Sequence, residues 1–146
     1  MTPLEFLTFM IAITAGAAAV EMIRRRRHIN VLRKLAAERG MHFSAADRFR
    51  LAPRVAQRIP VPGAAAVRVL DLLYGVERQN YRYIFAAEYT IGVLRSKTGV
   101  RRVATFAEPR DPGGVSEVGD IGELLFAPEG LPVVEQYKHL LEQVKS

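Results

Sequence analysis

Phe6 to Val20 carry no charge, and only Thr8, Thr14 and Gly16 interrupt a run of Phe, Leu, Met, Ile, Ala and Val. Extended to Leu4 and Ile23 the segment is twenty residues. As a helix rising about 1.5 Å per residue it measures about 30 Å, the thickness of a bilayer's hydrocarbon core. Glu5 and Glu21 sit near its two ends, where a carboxylate reaches the headgroups. A cylinder this apolar belongs in a bilayer or in a protein interior. The rest of a 146-residue chain has room for one domain around one core.

The flanks decide among the fates of this segment. A cleaved secretory signal wants Lys or Arg ahead of its apolar run, and Met1 to Glu5 has neither. Ala17 to Ala19 could serve a signal peptidase, but Arg24, Arg25, Arg26 and Arg27 follow almost at once, which argues against export. Four cations just past an apolar span satisfy the positive-inside rule with the N-terminus outside and the remainder in the cytoplasm. Consecutive helical residues lie about 100° apart, so the four arginines form a collar with no preferred face. A collar suits snorkelling to headgroups better than entry into a DNA groove, and we assign Arg24, Arg25, Arg26 and Arg27 to membrane-surface contact. Each cation near an anionic leaflet contributes about 1 kcal/mol, so the run adds on the order of 4 kcal/mol at low salt.

The net charge of +6 is unevenly spread. Residues 1–23 hold two acids and no base, 24–58 eleven bases and two acids, 59–110 eight bases and four acids, and 111–146 two bases and seven acids. The basic excess therefore follows the apolar segment directly. With 49% hydrophobic and 25% charged residues the chain is not disordered as a whole. The absence of cysteine removes disulfides, thiolate metal sites and a cysteine nucleophile together, and fits a reducing compartment.

Beyond the arginines, Ile29, Leu32, Leu35 and Ala36 keep helical spacing with Arg33, Lys34 and Glu38 between them. No breaker occurs from Leu4 to Arg39, so the membrane helix is expected to run straight into this one and stop at Gly40. Ser44 with Asp47 resembles a capping box that opens a second short helix, and Pro53 fits the first turn of a helix ended by Pro60 and Pro62.

The pattern then changes to strands. Val67 to Tyr74, the strict alternation from Tyr81 to Ile91, and Val100 to Ala107 predict an antiparallel meander, with Leu124 to Ala127 as a short fourth strand. Tyr81, Tyr83, Phe85, Ala87, Tyr89 and Ile91 would face a core, whereas Arg68, Asp71, Arg82 and Glu88 would pair across strands in solvent. Glu108 to Gly122, rich in Pro, Gly and Asp, reads as a loop. Val133, Val134, Tyr137, Leu140, Leu141 and Val144 end the chain in an amphipathic helix.

No constellation for catalysis emerges. His28, His42 and His139 lie in three elements without metal-site spacing, and no metal or cofactor is implied. Gly113 and Gly114 lack the lysine of a phosphate-binding loop, Asp111, Glu117, Asp120 and Glu123 lack calcium-loop spacing, and no Gly-x-Ser-x-Gly occurs. The aromatic strand could be drawn as a base-stacking platform, yet its rings occupy the face marked for the core.

The Arg39-Gly40 step followed by Phe43 and Asp47, then Tyr74-Gly75 and an aromatic strand ending Glu88-Tyr89-Thr90, resembles small bacterial single-pass membrane-associated proteins with a domain of unknown function. The likeness spans about residues 30–95 and implies one small domain but no site residues. The expected organisation is an anchor at 1–23, a basic juxtamembrane helix at 24–40 and an α+β cytoplasmic domain at 41–146. The expected role is a non-enzymatic interaction module at the inner membrane, with the bilayer, acidic lipid headgroups or a protein as partner. The alternatives are a small-ligand-binding or enzymatic domain whose site forms only in the fold, and nucleic-acid or anionic-lipid binding through 24–58.

Overall fold

A computed structural model describes residues 2–57, 65–77, 80–91, 98–109 and 124–144. Helix α1 spans Pro3–Glu38, strand β1 His42–Ser44, helix α2 Leu51–Ala56, β2 Ala65–Glu77, β3 Asn80–Ile91, β4 Thr98–Pro109, β5 Leu125–Phe126 and helix α3 Val133–Val144. The fold is α+β, with one antiparallel sheet ordered β1-β2-β3-β4-β5, the long helix and the C-terminal helix packed together on one face and α2 on the other.

Helix α1 opens on a full capping box. Thr2 Oγ1 accepts from the Glu5 N–H at 3.3 Å, the Glu5 carboxylate accepts from the Thr2 N–H at 2.9 Å, and Pro3 occupies the first turn. The helix then runs unbroken for 36 residues, as the sequence predicts, and stops where Gly40 takes φ +68° and the Met41 N–H turns back to the Ala36 carbonyl at 2.8 Å. Two regimes share this helix. Leu4 to Ile23 are exposed, while Leu32, Leu35 and Ala36 are buried against the sheet.

The meander of β2, β3 and β4 is in place, with Tyr83 paired to Tyr74 on one side and Phe106 on the other. Two details differ from expectation. Ser44 lies in β1, paired with Leu72, instead of opening a helix; the Asp47 carboxylate caps α2 itself, accepting from the N–H groups of Leu51 at 2.7 Å and Ala52 at 2.9 Å. And β3 is covered on both faces, where its alternation predicts one. Tyr83, Phe85 and Ala87 pack with α2 residues Leu51 and Val55, while Ile84 joins Leu32, Leu35, Tyr137, Leu140 and Leu141 on the opposite face. A central strand between two layers buries its polar-phase positions too when they hold Ile84 and Ala86. Ile59, Pro60, Pro62, Ser96 and most of the expected acidic loop lie outside the described residues.

Helix α1 and strand β2 run in the same direction. Arg25 and His28 meet Asp71, the stretch from Leu32 to Ala36 packs with Leu73, and Met41 approaches Gly75, whose Cβ would stand 3.1 Å from Met41 Cγ. Helix α3 shares that direction, with Gln136 beside Val103 and Tyr137 beside Asp71 at its start and Leu141 near Gly75 at its end.

Candidate functional site

Strand β2 changes register between Leu70 and Leu73, and Asp71 sits in that irregularity with φ +52°, a left-handed conformation that Asp tolerates better than most residues. The bulge delivers its carboxylate to α1. Asp71 is fully buried, and Arg25 grips it with both terminal nitrogens, Nη1 to Oδ2 at 2.9 Å and Nη2 to Oδ1 at 2.6 Å. His28, one turn further along α1, places Nε2 3.3 Å from Oδ2. The backbone of Asp71 is held as firmly: its carbonyl accepts from the Tyr137 hydroxyl at 2.7 Å, and its N–H donates to the Ala45 carbonyl at 3.3 Å. Four segments, α1, α3, β2 and the turn after β1, thus converge on one residue.

The electrostatics follow from that packing. The hydrogen bond to Asp71 raises the Arg25 pKa above its ordinary value, with burial acting against it. Burial is the main cause that pushes the Tyr137 hydroxyl well above the ordinary tyrosine value, and the Asp71 charge adds to it. A carboxylate whose two oxygens are already taken by a guanidinium and an imidazole is a clamp between the long helix and the sheet, not a free base.

The collar is therefore not uniform. Arg24, Arg26 and Arg27 are exposed as the sequence predicts, whereas Arg25 turns inward to Asp71, and His28 with it. Asp71 is itself a correction, since cross-strand reading put it in solvent and the structure buries it. Of the other charges, Glu88 pairs with Arg101 at 2.9 Å on the exposed face as expected, while Arg82 is half-buried and pairs with Glu77 at 3.3 Å. Of the basic stretch 24–58, Arg54 is spent on Glu108 and Arg48 on the Tyr74 hydroxyl at 2.9 Å.

A second feature lies at the opposite end of the sheet, by the β2–β3 hairpin. His42, Phe49, Tyr74, Tyr81 and Tyr83, with Gly40, Gly75 and Val76, line a cleft of about 580 Å³. Phe49 stands edge-on to Tyr74 and Tyr83, with centroids 4.9 and 5.6 Å apart. The Tyr83 hydroxyl donates to Glu108 at 2.9 Å, and burial followed by that bond raises its pKa. Tyr83, Phe85 and Tyr89 are buried as the strand pattern predicts, but Tyr81 is exposed and contributes to this cleft.

Among the described residues no three His, Asp or Glu side chains converge as a metal site would require. Sequence reasoning missed the clamp, and the signal was present: Asp71 is flanked by Leu70, Leu72 and Leu73, where alternation breaks and an acid has apolar neighbours on both sides. Comparison with family models, with curated proteins and with solved structures gives no match.

Proposed function

We propose that the chain is a membrane-tethered, non-enzymatic interaction module. It crosses the inner membrane once through the first part of α1, with the N-terminus outside and the α+β domain on the cytoplasmic face. One observation carries this reading. A single unbroken helix is uncovered over an apolar stretch long enough to span a bilayer, and the same helix is a core element of the domain. The Arg25–Asp71 clamp lies just past the last apolar residue, so it couples anchor and domain rigidly, with no flexible tether between them. Arg24, Arg26 and Arg27 contact the headgroups. Membranes washed with alkaline carbonate should retain the protein; recovery in the soluble fraction contradicts the anchor.

The aromatic cleft favours a second reading, a small-ligand site on the domain. It has the volume and the mix of apolar walls and few polar groups of such sites. Under this reading, at least one flat aromatic fragment raises the thermal midpoint of the detergent-solubilised protein and fails to do so for Phe49→Ala. A fragment set without any such member contradicts it.

A further inference from the structure

We infer that the domain docks on the bilayer through the sheet end that carries Arg68, Arg101 and Arg102, which together with Arg24, Arg26 and Arg27 binds the anionic headgroups of the leaflet where the anchor ends. The inference rests on the anchor reading and adds a docking face and a lipid chemistry to it.

The geometry starts from the clamp. Arg25 follows Ile23 by about 3 Å along the helix axis and His28 by about 8 Å. Both reach Asp71, so this point of β2 is fixed within about one helical turn or two of the apolar boundary. Because α1 and β2 are codirectional, lower numbers along β2 lie on the bilayer side of Asp71. Arg68 is three residues in that direction, up to about 10 Å at strand rise. It pairs in register with Glu88, and Glu88 with Arg101, so the row crosses the three long strands at this end. Asp71 stands about 3–8 Å beyond Ile23, so a row up to about 10 Å back toward the bilayer meets the apolar boundary, the inner edge of an interfacial layer about 5–7 Å thick.

The chemistry of this end matches an acidic leaflet. Six arginines face four glutamates here among the described residues: Arg24, Arg26, Arg27, Arg68, Arg101 and Arg102 against Glu21, Glu88, Glu129 and Glu135. Arg102 is anchored over the Phe126 ring at 4.7 Å and lies 3.6 Å from Glu129. An open basin of about 280 Å³ between Val100, Arg101, Arg102, Glu129, Gly130 and Gln136 is large enough for a phosphate group, with two guanidinium groups against the one carboxylate of Glu129. Leu131, exposed beside it, offers an apolar side chain at the same level. The opposite end holds the aromatic cleft, so the two faces divide the domain into a side toward lipid and a side toward the cytoplasm.

The chain has no cysteine, which allows single reporters. Leu131→Cys and Asn80→Cys place a fluorophore at the two ends of the full-length protein, in nanodiscs containing a headgroup-bound quencher. With about one third phosphatidylserine in phosphatidylcholine, the label at 131 is quenched and the label at 80 is not. Because α1 and the domain move as one body, docking acts through the tilt of α1; adding Arg68→Gln and Arg101→Gln weakens it about 25-fold, at fivefold per charge, and returns position 131 to its value in pure phosphatidylcholine. Equal quenching at both positions, or quenching at 131 indifferent to phosphatidylserine and to both substitutions, overturns the inference and leaves the anchor standing; the arginine face is then open to an acidic protein segment. Failure of the protein to enter nanodiscs overturns the anchor itself.

Discussion

Asp71 and Arg25 differ in what happens when either loses the other. Asp71 is completely buried, while 39% of the Arg25 side chain is exposed and can turn to water. Removing the cation therefore strands a buried carboxylate, and removing the acid does not strand the guanidinium to the same degree. Arg25→Met should destabilise the detergent-solubilised protein by about 3 kcal/mol and Asp71→Asn by about 1–2 kcal/mol, with the double variant well below their sum. Asp71→Ala should cost about 1 kcal/mol more than Asp71→Asn, because Asn tolerates the left-handed backbone and Ala does not. Denaturant titration measures all four, and an Arg25→Met milder than Asp71→Asn would contradict the clamp.

Tyr83 and Tyr137 supply a pH dependence. Both hydroxyls are raised above the ordinary value of 10.0, so the folded state prefers the neutral phenol. Their contribution is complete below pH 10 and is lost as pH rises toward the folded values. Stability should fall above about pH 10, and Tyr83→Phe should fall less steeply; identical slopes would contradict the assignment. None of these roles was readable from residue type. Asp71 reads as one more cross-strand charge unless the broken alternation at Leu70, Leu72 and Leu73 is taken as the mark of a bulge.

At the scale of elements, α1 was the most legible. Its unbroken length and its Gly40 stop depend on neighbours in sequence, and so does the spacing that selects Leu32, Leu35 and Ala36 as its buried face, whereas its Thr2–Glu5 cap was not read from the sequence. Leu32→Ala should cost about 2–4 kcal/mol, whereas Val31→Ala, on the exposed side one residue away, should cost under about 0.5 kcal/mol. Comparable losses at both would mean that the helix does not pack on the sheet as described. The meander was legible for the same reason, its period being local. Strand β1 was not: three residues, His42 to Ser44, carry no periodicity, and they are strand only because Leu72 to Tyr74 offer an edge. The second layer over β3 was hidden too, since Ile84 and Ala86 are apolar in a phase that alternation assigns to solvent.

At the scale of the molecule, a helix long and apolar enough to cross a membrane, with acids at its ends and cations after it, follows from composition. The joint between that helix and the sheet does not, because it is made by residues 46 positions apart, Arg25 and Asp71. Under the proposed attachment that joint holds the domain at the bilayer without a leash and puts the aromatic cleft on the side away from the lipid.

Impermeant maleimide labelling of intact cells tests this topology most directly. In a chain without cysteine, a single cysteine at position 2 should label from outside, and one at position 80 only after the membrane is permeabilised. Labelling of position 80 in intact cells, or protection of position 2, would contradict an anchor with its N-terminus out and its domain in the cytoplasm.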